Sequence, residues 1–168
     1  MKIVTLDTET IKSFFLIVVY DPEMDKWFEF EISERKCQID AFINFYEEYK
    51  DYYFVTYNGL RFDGQVIEFL LRNYQFWVEK SCLEICEILW QKGQDIIDDA
   101  NYDVFPQYRE EELSLKQIDI FELNGYSNKN RLVGLKRLEF EMNLPDIEEL
   151  PIKHDATNLS EEECNSLI

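Results

Sequence analysis

Apolar and polar positions change period several times along this chain, and each change marks an element. Lys2 to Asp7 reads as a strand. Phe14-Phe15-Leu16-Ile17-Val18-Val19-Tyr20 is continuously apolar, the pattern of a strand covered on both faces. Trp27 to Ile32 alternates: Phe28, Phe30 and Ile32 point one way, and Trp27, Glu29 and Glu31 point the other, which predicts a half-exposed edge strand. Asp21-Pro22-Glu23-Met24-Asp25-Lys26 joins the last two runs as a hairpin link. The period then turns helical. Phe42, Phe45, Tyr46 and Tyr49 fall at i, i+3, i+4 and i+7, the stripe of an amphipathic helix. Tyr53 to Tyr57 is a short apolar strand. A second helix follows over Phe62 to Asn73, with Val66, Phe69 and Leu70 on one stripe. Ser81 opens a third, and Glu84 completes its capping box. Gln91 to Glu112 has no clear period and carries Gly93, Pro106 and many acids, so it predicts a long exposed excursion. Leu113 to Leu123 contains another strand. Gly134 to Met142 is a short helix that stops before Pro145. Ser160 caps a last helix, with Glu163 at the capping-box position. This order predicts an α/β fold: a mixed sheet with an antiparallel N-terminal hairpin, continued through helical crossovers and flanked by helices.

Composition narrows the picture. A chain of 168 residues is long enough for one domain, and 46% hydrophobic and 15% aromatic residues exclude a disordered polymer. Lys and Arg total 17 against 35 Asp and Glu, a formal charge of −18. Such a chain has no global attraction for phosphate backbones or anionic lipid, so any nucleic-acid binding must be local, metal-assisted or supplied by a partner. The longest apolar run is far shorter than the roughly 20 residues a membrane helix needs, and Asp7 arrives too early for a signal peptide. No membrane association is expected, and the expected location is a cytoplasm-like compartment. Reduced cysteines fit that location: Cys82 and Cys86, at i and i+4, share a stripe with Ile85 and Leu89 and read as buried thiols. A zinc site needs more ligands, and the chain has one histidine, His154.

Two stretches carry candidate chemistry. In Leu6-Asp7-Thr8-Glu9-Thr10, at the end of the first strand, Asp7 and Glu9 face the same side and Thr8 turns away. Paired carboxylates need a cation, a shared proton or open water. Oxygen donors suit hard dications such as Mg²⁺ or Mn²⁺. In Tyr57-Asn58-Gly59-Leu60-Arg61-Phe62-Asp63-Gly64, a tight turn links strand to helix and leaves Asp63 in the first helical turn. Taken singly, these residues have plainer readings: an exposed strand end for Asp7 and Glu9, a helix cap for Asp63, a turn residue for Asn58. Ligands of open α/β sheets bind beyond the carboxyl ends of the strands, where Asp7, Glu9 and Asp63 can converge.

The joint pattern, Asp7-x-Glu9 after a hydrophobic strand and Asn58-x-x-x-Phe62-Asp63 before a helix, resembles the first two motifs of the DEDD 3′–5′ exonucleases. It is most similar to the proofreading exonuclease domains of phage-type DNA polymerases. Leu150-Pro151-Ile152-Lys153-His154, then Leu159-Ser160-Glu161-Glu162-Glu163, resembles the approach to the helix bearing the family's last motif. The resemblance implies a ribonuclease H-like fold, two Mg²⁺ or Mn²⁺ ions, and removal of nucleotides from the 3′ end of single-stranded DNA. It assigns catalytic and metal-binding roles to Asp7, Glu9 and Asp63, and substrate-binding roles to Thr8, Asn58 and Phe62. It also implies a polymerase domain in the same or another chain, and host cytoplasm if the protein is viral. One feature departs from the family. Its fourth carboxylate lies in Tyr-x-x-x-Asp or His-x-x-x-x-Asp, and here Tyr126 is followed by Asn130 and His154 by Leu159, while Asp146 and Asp155 lack the upstream partner. Residues 1–168 are therefore expected to be a single exonuclease-like domain truncated before its last catalytic helix, the alternative being a natural protein that has lost that helix. Two other readings stand beside this one. The first is an exonuclease-like binding module of a replication protein. The second is an acidic DNA mimic, to which Glu110-Glu111-Glu112, Glu161-Glu162-Glu163 and the net charge point.

Overall fold

The computed structural model describes residues 1–102, 107–125, 133–144 and 152–167. The expectations for Tyr126, Asn130, Pro145, Asp146, Leu150 and Pro151 lie outside these residues. Strands β1 (Ile3–Ile11), β2 (Phe14–Asp21) and β3 (Lys26–Ser33) come first. They are followed by α1 (Ile39–Tyr49), β4 (Tyr53–Thr56), α2 (Asp63–Asn73), α3 (Cys82–Asn101) and β5 (Lys116–Asp119), then by the short helices α4 (Ile120–Gly125), α5 (Leu135–Glu141) and α6 (Glu161–Asn165). The five strands form one mixed sheet in the order β3-β2-β1-β4-β5. β1 is antiparallel to β2 and parallel to β4, β2 is antiparallel to β3, and β4 is parallel to β5. The chain is thus an α/β protein with a mixed sheet flanked by helices, opening on the antiparallel hairpin its periodicity predicts.

The continuous apolar run of β2 has a partner on each face. Phe15, Ile17 and Val19 join Val4, Leu6, Phe30 and Ile32 under α1, α2 and α3, in a cluster that includes Phe42, Phe45, Val66, Ile67, Leu70, Ile85 and Leu89. Phe14 and Leu16 join Ile11 in a second cluster, covered by Ile152, Ala156, Leu159, Cys164 and Leu167. The C-terminal segment is stitched to the β1–β2 turn: Lys12 N–H donates to the His154 carbonyl at 3.0 Å, and the Ser13 hydroxyl donates to the Ala156 carbonyl at 3.2 Å.

Three expectations change. β1 does not stop at Asp7. It runs on to Ile11 because β2 supplies a ladder partner all the way, pairing Asp7 with Val18, Glu9 with Leu16 and Ile11 with Phe14. The expected excursion over Gln91–Glu112 is helix in its first half: α3 continues to Asn101, and residues 107 and 109–112 beyond it are exposed. A buried stripe of Ile85, Leu89 and Ile96 holds α3 against the sheet, and Gly93 allows the close approach. A Cβ there would stand 3.4 Å from the Phe62 ring and 3.5 Å from the Thr10 methyl. Burial against the sheet outweighs the helix-breaking tendency of one glycine, which costs about 1 kcal/mol. Finally, Glu31 is on the predicted outer face of the edge strand β3 and yet is only 1% exposed. The C-terminal segment covers it and Arg35 neutralises it, donating from Nε at 2.7 Å and from Nη2 at 3.0 Å. Arg35 Nη1 also donates to Asn165 Oδ1 at 2.7 Å, tying α6 to this pair. No helix among the described residues is long and apolar enough to cross a membrane.

Burial pulls the Glu31 carboxyl upward, but the Arg35 guanidinium and the Ser33 hydroxyl more than offset it and leave the group below its ordinary value of 4.5. Arg35→Ala strands this carboxylate. Because Arg35 is itself partly exposed, the expected loss is about 2 kcal/mol in urea denaturation at neutral pH. The loss is expected to shrink as pH falls below 4.5 and Glu31 protonates in both proteins.

Candidate functional site

β1 pairs with β2 from Thr5 to Ile11, but with β4 only at Ile3, Val4 and Thr5. β4 ends at Thr56 and the chain leaves the sheet, so a crevice opens beside the later half of β1. The start of α2 occupies that crevice. The loop that delivers it is held tightly. Asn58 adopts φ 63°, a left-handed conformation that asparagine tolerates. Its carbonyl accepts from the Arg61 and Phe62 N–H groups at 3.2 and 3.1 Å. Asp119, in register with Thr56 at the end of β5, accepts from the N–H groups of Asn58 at 2.8 Å, Leu60 at 3.1 Å and Phe121 at 2.9 Å. Gly64 N–H donates to the Gly59 carbonyl at 2.7 Å, and a Cβ on Gly64 would lie the same 2.7 Å from that oxygen. The loop therefore requires glycine at this position.

Asp63 enters from this loop and is 5% exposed. Its Oδ1 accepts from the Thr8 hydroxyl at 2.5 Å. Burial comes first in pushing the Asp63 carboxyl up to about 7, followed by the charge of Asp7; the Thr8 bond and a backbone bond at the helix start oppose this, and Asp119 adds to it. Asp7 reaches solvent, yet the surrounding protein mass raises its carboxyl, against a backbone bond from Thr8. Glu9 is raised by burial and then by Asp7, with the His154 ring opposing. Asp7 therefore lies within electrostatic reach of both Glu9 and Asp63. No lysine or arginine forms an ion pair with any of the three among the described residues.

The alternation of β1 does what its sequence predicts: Val4, Leu6, Thr8 and Thr10 are buried, and Asp7 and Glu9 turn to the other side. Thr8, which the resemblance places against substrate, is buried and directs its hydroxyl to Asp63. Asn58 braces the loop through its backbone. Phe62 caps α2, half-buried beside Gly93. The donor set suits a hard dication in chemistry, being anionic oxygen throughout and uncompensated by cations. In arrangement, no three acidic, histidine or cysteine side chains among the described residues stand together closely enough to hold a metal ion. Two residues of the site escape the motif reading. Asp119 is an acid at the end of a parallel strand, the same signal that marks Asp7. His154 comes to Glu9 through its Nδ1 contact with the Thr10 carbonyl at 3.3 Å, which only the folded C-terminal segment creates. No family model, curated protein or solved structure matches the chain.

Two outcomes follow from this geometry. Between the ordinary 3.8 and about 7, folded Asp63 retains a proton that the unfolded chain has released. Metal-free stability should therefore fall as pH rises through that window, with Glu9 and Asp7 adding in the same direction. Asp63→Asn should flatten the dependence in thermal melts across the same range. Gly64→Ala should cost about 2 kcal/mol, measured by urea denaturation, because the backbone oxygen it strikes cannot move without opening the loop.

Proposed function

We propose that this chain is a 3′–5′ exonuclease domain of the proofreading type, acting on the 3′ end of single-stranded DNA with two Mg²⁺ or Mn²⁺ ions. The observation that carries the reading is the convergence of Asp63, from the start of α2, on Thr8 and Asp7 of β1. Acids from two distant segments gather negative charge that no ion pair among the described residues offsets. The mixed sheet with its opening hairpin supports a ribonuclease H-like identity for the fold.

Asp7, Glu9 and Asp63 would hold the ions, their carboxylates drawing together from the wider separation they have in the structure. Bound there, two hard dications supply an activated water for in-line attack and shield the charge on the leaving oxygen. The chain's own residues set the stage. Thr8 orients Asp63. Asp119 and the Asn58 turn keep the loop from relaxing away from β1. Phe62, half-buried against Gly93, would pack near the terminal nucleotide. The charge of −18 leaves DNA binding to local contacts, the metal ions or a partner, and the resemblance to proofreading domains makes that partner a polymerase domain in the same or another chain.

A second reading, a non-catalytic exonuclease-like binding module, is favoured by one observation: no three potential ligands among the described residues stand at metal-holding separation. Two measurements separate the readings. Above the Asp63 value of about 7, Mn²⁺ should raise the melting temperature of the wild-type chain and leave Asp7→Ala and Asp63→Asn unchanged. In single-turnover assays on a 3′-labelled single strand, cleavage should be slow, because only three of the family's four carboxylates are present, and Asp7→Ala should abolish it. A melting temperature that Mn²⁺ does not move, with no cleavage, overturns the nuclease reading in favour of a non-catalytic one. Cleavage that survives Asp7→Ala overturns the site.

A further inference from the structure

We propose that the cleft between the C-terminal segment and the first turn of α3 binds a small organic cation, an ammonium group carried on an apolar body. The cleft encloses about 350 Å³, inside the range of roughly 300–1,000 Å³ that small-molecule sites occupy. It lies where stretches distant in the chain meet without filling the space between them: the β1–β2 turn at Ser13, the residues at and just past the end of β3, the start of α3, and residues 158–164. Leu83, Leu159 and Cys164 supply its apolar lining. Cys164 is 5% exposed, and burial raises its thiol, so the sulfur stays uncharged and serves as a polarisable apolar surface. Asp7, Glu9 and Asp63 take no part in the lining, so the cleft is separate from the carboxylate crevice.

Charge selects the occupant. Among the described residues that line the cleft, Arg35 alone is basic, and its guanidinium is already engaged. Nε and Nη2 donate to the two carboxylate oxygens of Glu31, and Nη1 donates to Asn165 Oδ1. The lining hydroxyls are turned inward as well: Ser13 donates to the Ala156 carbonyl and Ser33 to Glu31. Glu34 and Glu161 are left. Both line the cleft, both are exposed, and neither forms an ion pair among the described residues. An anion would meet two carboxylates and no free cation, and a neutral ligand would leave both carboxylates unused. An ammonium group pairs with them while its apolar body covers Leu83, Leu159 and Cys164. The cation is organic rather than a metal ion, since no three acidic, histidine or cysteine side chains among the described residues stand at metal-holding separation. A ligand here would span the joint between the sheet and the C-terminal segment, the segment that also brings His154 to the Thr10 carbonyl. Binding would therefore stabilise the fold by clamping that segment in place.

Phenethylammonium serves as the probe, with phenylethanol and phenylacetate as its neutral and anionic counterparts. Each is titrated into the isotope-labelled full chain at neutral pH and low ionic strength, and backbone amide shifts are followed by NMR. The cation should shift the amides of Ser13, Ser33, Glu34, Leu83 and Leu159 with a saturable curve, and it should raise the melting temperature. Glu34→Gln combined with Glu161→Gln should weaken it about tenfold, the loss expected for two part-exposed ion pairs. Glu110→Gln combined with Glu111→Gln, which changes the net charge equally, should leave the affinity unaltered. Thermal melts confirm that both double variants are folded, and the wild-type titrations decide the question without them. Shifts centred on Asp7 and Glu9, equal binding of phenylethanol, preferred binding of phenylacetate, equal weakening by the two double variants, or no shift at millimolar probe overturns the proposal.

Discussion

Beyond Thr5, the central strand β1 keeps β2 on one side and parts from β4 on the other. This mismatch in ladder lengths organises the molecule. On the paired side, hydrogen bonding to the apolar β2 carries β1 straight through its acidic stretch and holds Asp7 and Glu9 in extended, alternating backbone. On the open side, the space that a longer β4 would fill admits the first turn of α2 instead. A four-residue β4 is thus as important to the site as the acids themselves.

The electrostatics of that crevice are unfavourable by construction. An acid at a helix N-terminus usually gains from the helix dipole, by roughly 0.3–1 kcal/mol near the surface. Asp63 has that position and a short bond from Thr8 as well, and its carboxyl is still driven upward, because burial and the charge of Asp7 are larger effects. Elsewhere in the fold, buried acids are compensated. Glu31 has Arg35, Glu68 has Arg72, and Asp119 has three backbone N–H donors. The contrast separates acids that hold the structure together from acids left uncompensated.

Glu31 shows how the second face of the sheet was built. The C-terminal segment lays an apolar strip over Ile11, Phe14 and Leu16, and sets α6 against Arg35. The same strip carries His154 to Thr10 and Glu9. One covering segment therefore seals the second core, buries an ion pair on an edge strand and adds a ring beside the acids. The opposite face is closed by α3, whose Gly93 lets it settle on Phe62 and Thr10.

Much of this was legible residue by residue. Local periodicity identified all five strands and the first two helices, and capping boxes located the starts of α3 and α6 at Ser81 and Ser160, because turns, caps and alternation depend on neighbours within a few positions. Local order likewise determined that Asp7 and Glu9 share a face and that Asp63 opens a helix. What no local pattern contains is the outcome of long-range packing. The end of α3 at Asn101, the burial of Glu31, the bond between Thr8 and Asp63 and the bracing by Asp119 each depend on segments distant in the chain. Desolvation and charge act through space, so the character of the acidic crevice was decided only when the tertiary structure removed water from it and brought its carboxylates within reach of one another.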